Sequence, residues 1–204
     1  MGLYGEHVLP RIVNVACSAK SARPLRGRVC AGLSGEVIEI GFGSGLNLPF
    51  YPPEVQQIAA VEPADISWNM AAGRMAQTTT TVQRSGRDAQ SLPYPDNSFD
   101  AAVSTWTLCT IPDASAALRE VHRVLRPDAP IHFVEHGLAE DEPVRRMQQR
   151  IDRVHVRVAG CHVSRPIVEL LTNAGFVVTE LDAFYLKGAP RFAGAISLGV
   201  GLAA

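Results

Sequence analysis

The stretch VIEIGFGSGLN, residues 37–47, decides the fold: four residues of strand-like apolar character run into three glycines, Gly41, Gly43 and Gly45, spaced two apart. Glycine weakens the interior of a strand or a helix. A cluster where a strand hands over to a helix therefore marks a turn whose main chain something approaches closely. A glycine-rich turn without a ligand reads the same way, so the surrounding chain has to decide between them.

Downstream of this turn, strand-like and helix-like segments alternate: VIEI (37–40), a helical piece near 46–51, IAAV (58–61), a helix over SWNMAAGRMA, TTTVQR (79–84), a loop through LPYPDNS, FDAAVST (99–105), a helix over ASAALREVHRVL and IHFVEH (131–136). Such alternation predicts a parallel sheet with helices on both faces. In the helix over 114–125, Asp113 is the expected N-cap, Leu118, Val121, Val124 and Leu125 form one apolar stripe, and Pro127 ends the run. A basic helix over about 141–158 and the segment GCHVSRPIVELLTNAGF then precede two last strands, FVVTELDAFYL and FAGAISLGV, joined by KGAPR. So short a connection serves only an antiparallel pair. The expected fold is α/β, a Rossmann-like seven-stranded, mostly parallel sheet with an antiparallel last strand. Upstream, residues 1–35 read as a helical leader or lid, with a short helix in VLPRIVNVACSAK and punctuation at Pro24, Gly27, Gly32 and Gly35; residues 36–204 form the main domain.

A chain of 204 residues with 47% apolar content buries one sizeable core and is short for two. A net charge of −1 leaves no basic surplus for a phosphate backbone, so nucleic acid is not expected as the main partner. Arg145, Arg146, Arg150, Arg153 and Arg157 read as one solvated helix face. The start, MGLYGEHVLP, has no basic region leading into an apolar run, and no uncharged stretch reaches membrane-spanning length. A soluble, cytoplasmic protein is the expectation. Cys17, Cys30, Cys109 and Cys161 contain no CxxC pair, which predicts neither a zinc site nor a disulfide framework.

In an open α/β sheet, ligands sit at the carboxyl ends of the strands, in the turn after the first one above all. The spacing here is G-x-G-x-G; the dinucleotide pattern G-x-G-x-x-G would put its last glycine at Leu46. Glu62 ends the second strand 23 residues after Glu39, where a carboxylate accepts from both hydroxyls of a ribose, or is simply a surface acid. Asp88 follows the third strand, able to accept from an exocyclic adenine amine while the Ala89 amide donates to the ring.

With these residues in view, the chain from about Gly35 onward resembles a class I S-adenosylmethionine-dependent methyltransferase. The resemblance rests on E-I-G-F-G-S-G, V-E-P, G-R-D-A-Q-S-L-P-Y-P-D-N-S-F-D and L-R-E-V-H-R-V-L-R-P. More narrowly, GSGLNLPFYPP, T-L-C-T-I-P-D, F-V-E-H and G-C-H-V-S-R are similar to the thiol S-methyltransferase family of methyltransferase-like proteins, though bacterial relatives of uncertain substrate share them. Animal members of that family carry an amino-terminal membrane anchor, which is not read in this sequence. The resemblance implies that residues 36–204 bind S-adenosylmethionine and release S-adenosylhomocysteine. Gly41, Gly43, Gly45 and Asn47 would line the methionine and ribose part, with Glu39 supporting the amino group. Glu62 would hold the ribose, Pro63 flank adenine, Asp88 and Ala89 read its edge, and Thr105 and Trp106 close over the sulfonium. Two departures stand out: Phe42 is bulkier than usual between the glycines and is expected to reshape the pocket, and Asp128 and Ala129 replace a Gly-Gly turn.

Methyl transfer from a sulfonium is an in-line displacement whose leaving thioether needs no acid, so alignment and desolvation are the main tasks. The expected acceptor is a small molecule, first a lipophilic thiol. The alternatives are carbon, oxygen or nitrogen of a quinone precursor, heterocycle or phospholipid head group, and a non-catalytic module that only binds the cofactor. An apolar pocket raises a thiol's pKa, so a base or positive charge has to offset it. His136 and His162 are the candidate catalytic bases, with Arg165 as a fixed charge. The plainer alternatives are a His136 bond to a backbone carbonyl and an Arg165 pair with Glu135. Cys109 and Cys161 meeting to hold a soft metal is a remote option; no metal is expected. The helix over 143–158 allows peripheral contact with a membrane but no stable insertion.

Overall fold

Seven strands, β1 (Gly35–Ile40), β2 (Val55–Val61), β3 (Thr81–Gly86), β4 (Ala101–Thr105), β5 (Pro130–His136), β6 (Phe176–Tyr185) and β7 (Ala195–Ala203), lie in the order β3-β2-β1-β4-β5-β7-β6. A computed structural model describes residues 9–204; residues 1–8, where the expected leader begins, lie outside the described residues. The pairs β1–β2, β1–β4, β2–β3 and β4–β5 are parallel, and β7 runs antiparallel to both β5 and β6. The seven-stranded Rossmann-like sheet with a reversed last strand is therefore present as expected. Strand order departs in opposite directions from β1 and β4, so the crevice for a ligand opens between their carboxyl ends. Ile40 is level with both Val61 and Ser104, which brings Gly41, Glu62 and Thr105 to one height.

Helices α1 (Leu9–Cys17), α2 (Arg23–Cys30), α3 (Asp65–Met75), α4 (Ala114–Val124), α5 (Glu142–Ala159), α6 (Ile167–Asn173) and α7 (Arg191–Gly194) complete the described residues. Strand periodicity divides the core in two. Ile38 and Ile40 pack with Leu118 and Val121 of α4 and with Phe133, while Val37 packs on the other face with Leu25 and Val29 of α2 and with Val103. The same alternation puts Glu39 on the face of Val37, beneath α2. Asp113 caps α4 as its sequence predicts, accepting from the Ala116 amide at 2.9 Å.

Three local expectations are corrected. The piece near 46–51 is only a 3₁₀ turn, Leu48–Phe50. Helix α2 was not foreseen, because Pro24 reads as a breaker although it sits in the first helical turn, where its missing N–H costs nothing. The last strand begins at Ala195 rather than Phe192, since Arg191–Gly194 winds into a helical turn. Helix α5 carries Val144, Met147, Ile151, Val154 and Val158 at alternating spacings of three and four; Met147, Val154 and Val158 are 50%, 63% and 63% exposed. Among the described residues, no helix is long and apolar enough to cross a membrane.

Candidate active site at the carboxyl ends of the strands

Gly41, Gly43 and Gly45 all have positive φ, 71°, 60° and 72°, a conformation that disfavours side chains. Their surroundings differ. A Cβ on Gly41 would collide with the Thr107 side chain, and one on Gly45 would come within 2.9 Å of Leu48 Cδ1. On Gly43 it would meet nothing nearer than the Gly41 oxygen at 3.8 Å. Two of the glycines are thus bare for protein neighbours, and Gly43 alone leaves an open approach. Phe42 does not face that approach: its ring is buried and lies 5.4 Å from the Trp68 ring of α3, so it fills core instead of reshaping a pocket.

Glu62 clamps this turn. One oxygen accepts from the Gly43 amide and the other from the Ala64 amide, each at 2.8 Å. Burial raises its pKa, and those two amides act against the rise. Two of about four acceptor positions on the carboxylate are used. The Glu62 amide in turn donates to the Gly86 oxygen at 3.1 Å, which ties the ends of β2 and β3 together. Beyond β3, Asp88 is exposed and holds Gln90 through its amide (2.9 Å) and side chain (2.8 Å), while Ala89 is buried and Pro63 exposed.

Between β1 and β4 lies a buried polar network. Asn47 donates to Glu39 at 2.8 Å and to the Thr105 hydroxyl at 2.9 Å, Tyr51 donates to the other Glu39 oxygen at 2.7 Å, and Arg26 donates to Asn47 Oδ1 at 2.6 Å. Burial pushes the Glu39 carboxyl up to about 7, against the lowering pull of Tyr51, Arg26 and Asn47. Trp106 follows β4 in the left-handed region, φ 51°, a strain of about 1–3 kcal/mol for a bulky residue. Its indole lies under the Arg26 guanidinium at 5.1 Å and 6.5 Å from the His136 ring.

The ends of β4 and β5 form the other wall. Glu135 accepts from the Ser104 hydroxyl (2.6 Å) and the Thr107 amide (2.9 Å), and burial raises its pKa to about 7. Arg165 does not pair with it; the guanidinium donates to the carbonyl oxygens of Leu108 and Pro112. His136 is largely buried, its Nδ1 has no partner, and burial together with nearby His155 lowers its pKa to about 4. His162 is held differently. Its Nδ1 meets Asp152 Oδ2 at 2.6 Å, while Asp152 Oδ1 accepts from the amides of Val163 (2.8 Å) and Ser164 (3.1 Å). The His162 amide donates to the Cys109 oxygen at 2.8 Å, while the Cys109 thiol donates to the Trp106 oxygen at 3.6 Å and the Cys161 thiol to the His162 oxygen at 3.4 Å. Among the described residues no set of three or more His, Cys, Asp or Glu side chains is arranged to hold a metal ion. A surface depression of 470 Å³ lined by Pro112, Asp113, Arg165 and Pro166 lies outside the glycine turn and belongs to neither wall.

Of the expected residues, hydrogen bonds join Gly43 to Glu62 and Asn47 to both Glu39 and Thr105, while Asp88 bonds to Gln90 and His162 to Asp152; Arg26, Tyr51, Asp152 and Glu135 were not foreseen as site residues. Tyr51 lies within the quoted GSGLNLPFYPP and was open to detection; Arg26 stands in no motif.

Residues 38–133 match the family described as "Methyltransferase domain". With the strand order and the strand-end site, this match assigns residues 38–133 to the methyltransferase-domain family, whose class I members use S-adenosylmethionine as cofactor. It is 32% identical over 161 residues to the thiol S-methyltransferase TMT1A of Homo sapiens, covering 74% of this chain and 65% of that protein. A phosphatidylethanolamine N-methyltransferase of Cereibacter sphaeroides is 28% identical over 155 residues, 72% of each chain. The fold is shared with a crystal structure from Thermotoga maritima described as a SAM-dependent methyltransferase, possible histamine N-methyltransferase, at TM-score 0.69 and 21% identity, over 97% of this chain and 99% of that one. The chain spans about two thirds of the length of the thiol S-methyltransferase it matches. The site fits the cofactor's chemistry: an open glycine approach at Gly43 and carboxylates at the ends of β2 and β3 suit a ribose and an adenine.

Proposed function

We propose that this protein methylates a small lipophilic acceptor, first of all a thiol, with S-adenosylmethionine as donor. The observation that carries the proposal is the Asp152–His162 pair, tied through the His162 amide to the Cys109 carbonyl in the loop after β4. The likeness to a thiol S-methyltransferase supports it. When bound, the cofactor supplies an electrophilic methyl group on a sulfonium, which departs as a neutral thioether. Asp152 keeps the His162 proton on Nδ1 and leaves Nε2 free to accept one. His162 would take the thiol proton at Nε2, leaving a thiolate as the nucleophile for that methyl group, and would pass the proton from the imidazole to solvent. His136, its pKa lowered by burial to about 4, is not given the role of base and stands beside Trp106. Glu62 orders the glycine turn and offers its remaining lone pairs to the ribose, while Asp88 and Ala89 meet the adenine edge.

A second reading is methylation of a phospholipid head-group amine. The half-exposed apolar seam of α5, flanked by Arg150, Arg153 and Arg157, favours an acceptor delivered from a lipid surface, as does the likeness to a phosphatidylethanolamine N-methyltransferase. A cytoplasmic setting accords with the four free cysteines. Incubation with methyl-labelled cofactor and a panel of thiols, phenols, amines and phospholipid vesicles distinguishes the readings. Turnover confined to thiols is expected. Turnover on the head-group amine would replace the first reading with the second, and tight cofactor binding without any turnover would make the protein a binding module.

A further inference from the structure

We infer that Arg26, on α2 and outside every recognised motif, is the seat of the α-carboxylate at the methionine end of the cofactor. The inference rests on S-adenosylmethionine being the cofactor and goes beyond the residues its motifs name.

Arg26 is 6% exposed. A guanidinium keeps its charge under all ordinary conditions, and a buried charge is costly unless an opposite charge meets it. Among the described residues Arg26 takes part in no ion pair. Its hydrogen bonds go to two neutral acceptors, Asn47 Oδ1 at 2.6 Å and the Cys17 carbonyl at 3.2 Å. Two of its five N–H donors are thereby used. Other cations near the strand ends are held elsewhere: Arg84 and Arg87 bind Asp65, Arg165 binds the carbonyls of the loop after β4, and Arg74 donates to the Ser44 carbonyl of the glycine turn at 2.9 Å.

The position of the charge matters as much as its lack of a partner. Asn47 stands between Arg26 and Glu39, accepting from the cation through Oδ1 and donating to the anion through Nδ2. The indole of Trp106, at the end of β4, lies beneath the guanidinium. A cation and an anion thus flank one amide side chain in the crevice between β1 and β4. The methionine end of the cofactor is a zwitterion with ammonium and carboxylate on one carbon. Docked there, its carboxylate meets Arg26 and gives the guanidinium the counter-charge the protein itself does not supply, while its ammonium lies toward Glu39 and favours the charged form of that carboxyl.

Titration calorimetry tests this with S-adenosylhomocysteine and its decarboxylated analogue, 5′-(3-aminopropylthio)-5′-deoxyadenosine. The wild type is expected to bind the first about 100-fold more tightly than the second, the scale of losing one partner of a buried charge pair. Arg26→Met should lose about that factor for S-adenosylhomocysteine and keep its affinity for the analogue, while Arg26→Lys retains part of the preference. An equal loss for both ligands in a folded Arg26→Met overturns the inference, because a merely structural arginine would act so. Should that variant not fold, the wild-type comparison decides alone: equal affinity for the two ligands refutes a carboxylate seat. Failure of the wild type to bind either ligand would instead remove the cofactor assignment on which the inference stands.

Discussion

Asp152 shows how much of the local arrangement depends on single contacts. Its two oxygens divide the work, one fixing the His162 ring and the other gathering the amides of Val163 and Ser164, so ring and loop are positioned by one carboxylate. Asp152→Asn is expected to lower kcat about 10- to 100-fold, since the amide can stabilise neither the tautomer nor the imidazolium. Affinity for S-adenosylhomocysteine should stay unchanged. Steady-state kinetics beside calorimetry check it, and a parallel loss of cofactor affinity would make Asp152 structural. His162 was legible in G-C-H-V-S-R, yet its partner was not. The two are ten residues apart, a spacing with no periodic signature, and meet only because the chain reverses at Gly160, φ 71°. Arg26 was hidden for a related reason: nothing in RPLRGRVC distinguishes a buried guanidinium from a solvated one.

At the level of elements, turns divide into those whose chemistry is local and those set by their neighbours. Asp128 occupies the left-handed region, φ 63°, where its amide donates to the Ala203 oxygen at 2.7 Å. That conformation explains why glycine is the common residue there. Asp128→Gly is therefore expected to raise stability by about 0.5–1 kcal/mol, the relief of left-handed strain exceeding the added chain entropy. Urea unfolding reads the change, and a loss of stability would show that the Asp128 side chain contributes more than its backbone strain costs. The cap at Asp113 and the apolar stripe of α4 were readable because both signals lie within one or two turns of helix. The glycine turn was readable as a turn only. That Gly41 makes room for Thr107, a residue 66 positions later, depends on β1 and β4 being neighbours.

Across the whole molecule, two buried carboxyls link folding to pH. Glu39 on β1 and Glu135 on β5 both have pKa values raised to about 7, from an ordinary 4.5, with burial as the leading cause. Between those values the folded protein holds protons that the unfolded chain releases, so this contribution is complete below about pH 4.5 and is lost as pH rises through about 7. Glu39 and Glu135 are each expected to favour the cofactor-free fold at pH 5 over pH 7.5 by no more than about 3 kcal/mol, while His136, its pKa lowered to about 4, opposes them over the same range. Glu39→Gln should remove its share of the slope. Unfolding free energies of the wild type and Glu39→Gln at the two pH values measure this, and a slope unchanged by the substitution would contradict the assignment. The sequence alone determined the alternation of strands and helices from β2 to β5, the reversed final pair and the carboxylates at successive strand ends, because alternation, capping and glycine spacing act over a few neighbouring residues. Only the tertiary structure decided that Arg26 lacks a counter-ion, that Asp152 orients His162 and that Gly43 alone stays open. Burial and charge pairing are properties of the space between distant segments, and no local pattern carries them.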